Sequence, residues 1–276
     1  MVDPGDLGGL CSKFYKTQIT RISMMNQDFI KILDVRIDIL DKSKALQKVA
    51  EFLESNKQYK IFTPNPEMLV DAQKDREFKD ILNSSDLNIC DGRGIQLVSR
   101  EKIERIPGVD FMLDICKLAE QKKYSVYFLG SDSSEVISNL KLVIQNKFPN
   151  LKIAGLHRGH KLLVANYQLK YDKEKNDELI AEITMAQPDI LFIAFGHVKQ
   201  ERWIHENLKD LPSVKIAMGV GGAFDYTAGM KKRAPAWMRK IGLEWLFRLL
   251  YEPKRIGRII KATLFFLFLN VFKKAP

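Results

Sequence analysis

The sequence predicts an α/β fold: a Rossmann-like parallel sheet with helices on both faces, extended by a C-terminal basic amphipathic helical appendage. Three observations carry this expectation. Short β-rich apolar runs alternate with helix-length amphipathic segments, the pattern of repeated βα units. The apolar runs are nearly continuous, as strands covered on both faces must be. The charge is also partitioned. Residues 231–276 hold twelve basic residues against Glu244 and Glu252, so the net charge of +10 resides there and the preceding residues balance. With 276 residues, 46% hydrophobic and 28% charged, the chain has the composition of a folded protein with a sizeable core.

Taken in order, residues 1–28 are rich in Gly, Lys and Thr and lack the apolar stretch of a signal peptide, so a flexible N-terminal extension is expected. An α/β catalytic domain is expected over 29–230 and the appendage over 231–276. The strands are YKIFT (59–63), LNIC (87–90), YSVYFLG (124–130), LKIAGLH (151–157), DILFIAFG (189–196) and VKIAMGVGG (214–222). Helices fit between them at 66–83, 108–122, 133–147, 174–186 and 198–209. Pro66 marks a helix start and Pro149 follows a helix end.

In an open parallel sheet, ligands bind outside the carboxyl ends of the strands. The residues there are polar and glycine-rich: TPNPE (63–67), DGRG (91–94), GSDSS (130–134), GHVKQE (196–201) and GGAFD (221–225). Gly130 opens a segment whose small residues and free amides suit a phosphate, and the same Ser and Asp residues also suit simple helix capping. Gly222 lies in the corresponding turn of the last strand. GVGGAF (219–224) has Phe224 where a dinucleotide fingerprint needs its third glycine, and no Walker A sequence occurs, which disfavours NAD and P-loop chemistry.

Asp91 directly follows an apolar strand, where poor solvation raises a carboxylate toward general-base duty; the alternative is a turn-forming Asp-Gly. His157 and His160 have no third ligand nearby in sequence, and acidic pairs with metal–nucleotide spacing are absent. A diphosphate handled without metal or other cofactor then requires arginines and amide donors. Three unclustered cysteines, Cys11, Cys90 and Cys116, suggest neither a disulfide framework nor zinc and fit a reducing cytoplasm.

The C-terminal segment mixes arginines with LFFLFL. Its longest uncharged apolar run, Ala262 to Phe272, is too short for a hydrocarbon core that needs about 20 residues. It suits an amphipathic helix lying on an anionic membrane surface; nucleic acid would account for the charge but not for the aromatic run, and a helix packed on the domain is the third reading.

In combination, TPNPEMLVDA, DGRGIQLVSR, RIPGVDFM, YFLGS, LFIAFGHVKQERWI, GVGGAFDYTAG and RAPAWMRKIGLEWLFRLLYEPKR resemble the WecG/TagA/CpsF family, glycosyltransferase family 26, in order from about Ile32 to Arg258. The resemblance implies an inverting, metal-independent transfer of N-acetylmannosamine, N-acetylmannosaminuronic acid or glucose. The donor is a UDP-sugar and the acceptor a polyprenyl-diphosphate-linked sugar at the inner face of the cell membrane, in the synthesis of teichoic acid or another surface polysaccharide. It further implies that Thr63 and Asn65 line the pocket and that Asp91 deprotonates the acceptor. Arg105 and Gln200 match polar site positions, and Arg248, Arg255 and Arg258 match basic residues of an appendage that closes the site. Steps of seven and three residues keep those arginines on a broad helical face, although Pro253 predicts a bend between them. The segment 160–177 is longer than the family pattern. The rival readings are a nucleotide-cofactor oxidoreductase and a non-catalytic membrane or nucleic-acid adaptor, and an exposed apolar tail favours self-association into a homo-oligomer.

Overall fold

The chain enters its fold through an antiparallel hairpin, β1 (Phe29–Ile32) and β2 (Val35–Asp38), followed by helix α1 (Lys42–Glu54). The computed structural model describes residues 28–99, 103–131, 133–241, 243–253 and 256–272, with the backbone alone for Lys240, Arg248, Val271 and Phe272. The expectation for the N-terminal extension lies almost wholly outside the described residues. The hairpin was not expected, because its turn is Leu33-Asp34, both at positive φ (50° and 62°), in place of the Asn-Gly or Asp-Gly that usually signals such a turn. Helix α1 is capped by Asp41, whose carboxylate accepts the Lys44 N–H at 2.7 Å, and buries Ala45, Val49 and Leu53.

All six expected strands form one parallel sheet: β3 (Tyr59–Phe62), β4 (Leu87–Asn88), β5 (Ser125–Leu129), β6 (Lys152–His157), β9 (Ile190–Ile193) and β10 (Ile216–Gly219). Their spatial order is β4-β3-β10-β9-β5-β6. Every residue of β5, β9 and β10 is buried, and a hydrophobic core lies on each face of the sheet. From β5 the chain proceeds to one side, to β6, and from β9 to the other, to β10. The strand order therefore reverses between β5 and β9, which opens a crevice at their carboxyl ends.

The expected helix 66–83 is two helices, α2 (Pro66–Asp71) and α3 (Arg76–Asn83). Asp75 starts the second by accepting the Phe78 N–H at 2.9 Å, a cap that interrupts the helical path. Further along come α4 (Arg93–Val98), α5 (Gly108–Lys122), α6 (Ser134–Lys147), α7 (Lys173–Ala186), α8 (Lys199–Asn207) and α9 (Ala223–Thr227). The long segment 160–177 carries a second hairpin, β7 (Leu163–Ala165) and β8 (Gln168–Lys170). Arg202 of α8 is fully buried and pairs with both Asp75 oxygens (2.9 and 2.7 Å) and with Glu77 (2.7 Å), locking α8 to the start of α3.

The C-terminal segment comprises α10 (Ala236–Ile241), α11 (Glu244–Tyr251), α12 (Ile256–Ile260), a π-helical turn (Lys261–Phe265) and α13 (Phe266–Phe272). The break after α11 agrees with the bend expected at Pro253. No helix among the described residues is long and apolar enough to cross a membrane.

Candidate active site

The carboxyl ends of β3 and β4 build one wall of a cavity of about 500 Å³, and the C-terminal helices build the other. Asp91 follows β4, and the glycines after it are dictated by a close approach. A Cβ on Gly92 would lie 2.3 Å from Pro66 Cδ, and one on Gly94 would lie 2.8 Å from Pro66 Cγ. Glycine therefore lets the Asp91 turn press against the start of α2, where Asn65 caps the helix by accepting the Met68 N–H at 3.1 Å. The Asp91 N–H donates to the Pro64 carbonyl at 3.2 Å, and its own carbonyl accepts from Arg105 Nε at 3.0 Å.

The cavity gathers Asn65, Asp91, Arg105 and Arg258 among the expected site residues. Arg105 reaches across to the C-terminal helices: its Nη2 donates to Glu244 Oε2 at 2.6 Å and its Nη1 to the Arg239 carbonyl at 3.4 Å. Arg258 Nε contacts both Glu67 oxygens at 2.9 and 3.1 Å, and its Nη2 contacts Oε2 at 2.9 Å. Arg258 Nη2 also lies 3.1 Å from His197 Nδ1. A guanidinium cannot accept, so Nδ1 is the acceptor and the ring proton sits on Nε2, which faces Asp71 Oδ2 at 3.3 Å. Lys261 pairs with Asp71 as well. Burial opposes ionisation of Asp71, but hydrogen bonds from His197 and Lys261 outweigh it and hold this carboxyl below its ordinary range.

Glu67, Asp71 and His197 have the chemistry of a metal-ligand group, yet in this arrangement Arg258 and Lys261 neutralise the two carboxylates. Beside them, Val198 has φ 70° and ψ −49°, a γ-turn conformation that a β-branched residue adopts only under strain of about 1–3 kcal/mol. None of Glu67, His197, Lys261 and Glu244 was singled out from the sequence. Glu67 stands inside TPNPE and His197 inside GHVKQE, so position at a strand end was the available signal for those two.

The other expected residues lie along the same sheet edge without lining this cavity. Thr63 is buried at the end of β3, against Gly108. Gly130 ends β5 at φ 103°, beside the crevice between β5 and β9. Ser133 caps α6 by accepting the Val136 N–H at 3.2 Å, so the capping reading of GSDSS holds. Gln200 is buried, its Oε1 accepting the Gly221 N–H at 2.9 Å and its Nε2 donating to the fully buried Glu201 at 2.7 Å; Gly222 caps α9. The Arg248 side chain and all of Arg255 lie outside the described residues. Cys90 and Cys116 are free and buried, and burial pushes the Cys90 thiol up to about 12, away from nucleophilic use.

Comparison with known proteins gives this geometry its context. The chain is 34% identical over 231 residues to an N-acetylglucosaminyldiphosphoundecaprenol N-acetyl-beta-D-mannosaminyltransferase of Bacillus subtilis (strain 168), covering 81% of this chain and 80% of the relative. It is 29% identical over 242 residues to the protein of the same name from Staphylococcus aureus (strain NCTC 8325 / PS 47), covering 86% and 90%. Residues 30–276 match the Glycosyl transferase WecG/TagA/CpsF family, which takes in both the sheet edge bearing Asp91 and the C-terminal helices that close over it. The chain belongs to that family and is a glycosyltransferase.

Proposed function

We propose that this protein transfers N-acetylmannosamine from a UDP-sugar to N-acetylglucosamine carried on a polyprenyl diphosphate, with inversion at the anomeric carbon and without a metal. The observation that carries this reading is the grouping of Asp91 with Arg105 and Arg258, which are paired with Glu244 and Glu67, in a cavity whose remaining wall is largely apolar. The printed names of the relatives support the sugar and the acceptor. The crevice between β5 and β9, beside Gly130, is the expected seat of the donor nucleotide.

In the reaction, an Asp91 carboxylate oxygen takes the proton of the acceptor hydroxyl as the hydroxyl oxygen attacks the anomeric carbon from the face opposite UDP. The bond between that carbon and the UDP oxygen breaks, and its electron pair leaves on the diphosphate, stabilised by arginines and by amides at the sheet edge. The pairing of the Glu67 and Asp71 carboxylates with Arg258 and Lys261, which leaves neither carboxylate unpartnered, supports a metal-free site.

The tail supports docking on the anionic inner face of the cell membrane. Leu264, Phe265, Leu267 and Phe268 form an exposed apolar face close to Arg258 and Lys261, whereas Phe266 points inward. Such a face suits a membrane interface, where each cation of the tail that is not already paired contributes about 1 kcal/mol on anionic lipid. In the absence of lipid it also offers a surface for self-association.

The test is UDP release from a panel of UDP-sugars, with a short-chain lipid-diphosphate-linked N-acetylglucosamine as acceptor, with and without EDTA. The expected result is release with UDP-N-acetylmannosamine that survives EDTA and falls by about 10²–10⁴ in Asp91→Asn. Release abolished by EDTA, release with a different donor, or an unimpaired Asp91→Asn each overturns the corresponding part of the reading.

A further inference from the structure

We infer that Glu244, the first residue of α11, is a positioning residue for the transfer, acting through Arg105 to hold the turn that carries Asp91. The inference rests on the transferase reading of this site. Arg105 joins the turn that carries Asp91 to the C-terminal helices α10 and α11. Its Nε donates to the Asp91 carbonyl at 3.0 Å, while Nη2 and Nη1 donate to Glu244 Oε2 at 2.6 Å and to the Arg239 carbonyl at 3.4 Å. The Arg105 and Glu244 side chains are 15% and 10% exposed, so the pair is shielded from water and its geometry is well defined.

A guanidinium is planar, and fixing Nη2 with a carboxylate fixes the direction in which Nε points. Glu244 therefore sets the orientation in which Arg105 meets the Asp91 carbonyl, and the carbonyl is one bond from the Cα that bears the base. Arg105 shares the Asp91 turn with backbone bonds: the Asp91 N–H reaches Pro64, and the Ile106 N–H donates to the Cys90 carbonyl at 2.8 Å. Arg105 is thereby committed to organising the site, and its remaining role toward substrate is electrostatic.

A second ionic layer supports the arrangement from behind. Arg233 makes a two-pronged contact with Asp110 (2.6 and 2.8 Å), and Arg239, whose carbonyl receives Arg105, approaches the same carboxylate at 3.7 Å. Arrival of α10 and α11 on the body thus completes a path from Asp110 through the Arg239 backbone and Glu244 to Arg105 and Asp91. The C-terminal segment acts on the base as well as covering it.

The experiment compares Glu244→Ala, Glu244→Gln, Arg105→Ala and the double variant Arg105→Ala/Glu244→Ala in two assays. One is steady-state transfer; the other is hydrogen exchange at the Asp91 and Ile106 amides. The expected result for Glu244→Ala is a fall in kcat on the order of tenfold or more with little change in the donor KM, because base alignment is lost while donor contacts remain. Glu244→Gln, which keeps an acceptor for Nη2, recovers part of that loss. The two amides exchange faster in Glu244→Ala and in Arg105→Ala, and the double variant is no worse than Arg105→Ala in either assay, since the inference routes the effect of Glu244 on the base through Arg105. Additive losses in the double variant, or wild-type kcat and exchange in Glu244→Ala, overturn the inference. If the wild-type protein transfers no sugar from any donor, the transferase reading falls, and the exchange data alone decide whether Glu244 holds the Asp91 turn.

Discussion

Phe266 is the side chain by which the C-terminal segment inserts into the body, and Phe266→Ala should open that segment without unfolding the α/β domain. Phe266 is fully buried, facing α4 close to Gly94, while its neighbours Leu264, Phe265, Leu267 and Phe268 face outward. In a closed core, Phe→Ala costs about 3–5 kcal/mol, part of it for the cavity left behind. Here the vacated space joins the existing cavity of about 500 Å³, where water enters, so the transfer term dominates and the loss is about 2–3 kcal/mol. That is a shift of about 30- to 150-fold in the equilibrium between docked and released tail. Phe266 joins the core on one face of the sheet, but the packing partners of α13 and the π turn are mainly α2 and α4, so the loss falls there and not on the central strands. Hydrogen exchange should show faster exchange for amides within 256–272 by roughly this factor, with the central strands β5, β9 and β10 protected as before. If strand amides accelerate equally, or if the tail amides do not change, Phe266 is not the anchor of a separately opening unit and the reasoning fails.

Gly92→Ala should be inactive or nearly so, because a Cβ 2.3 Å from Pro66 Cδ forces the Asp91 turn away from α2; a kcat near wild type would show that the turn tolerates the shift. Arg202→Ala leaves Asp75 without its buried partner and should cost about 3–5 kcal/mol of global stability by denaturant unfolding, in contrast to Phe266→Ala. Docking of the tail should also weaken in acid. Asp71 and Asp110 both have folded-state pKa values below the ordinary carboxylate value, the former through His197 and Lys261 and the latter through Arg233 and Arg239, in each case against the opposing effect of burial. A depressed carboxylate contributes stability that is present above its unfolded value of about 3.9 and is lost as pH falls through the folded value. Exchange of the tail amides measured from neutral pH downward should rise below about pH 4 after correction for intrinsic rates, and Asp71→Asn should flatten that rise.

The six sheet strands could be read from the sequence because burial on both faces imposes unbroken apolar runs, and a run such as SVYFL reports that burial locally. Helices α5 and α7 were legible for the same reason, their apolar spacing and boundaries lying within the segment itself. Other elements were not. The β1–β2 hairpin turns on Leu33-Asp34, residues that advertise no turn, and α4 forms in a stretch whose glycines, required because Pro66 leaves no room for side chains at Gly92 and Gly94, disfavour helix. The segment 66–83 read as one helix because its apolar spacing continues across the break; only the Asp75 cap and its partner Arg202, 127 residues away, divide it.

The site divides along the same line. Asp91 was legible because a parallel sheet places polar residues at strand ends, whereas Asn65 and Arg258 were reached through the resemblance to the family. The roles of Glu67, His197 and Glu244 were not. Their partners lie 191, 61 and 139 residues away along the chain, and polar residues carry no periodic signature of whom they will meet. The sequence by itself determined the sheet, the basic tail and the polar sheet edge that bears the candidate site, since each follows from local patterns of burial and charge. Only the tertiary structure decided that the tail folds back on that edge, that Arg258 rests on Glu67, and that Arg105 links Glu244 to Asp91, because ion-pair partners are chosen by the path of the chain in space.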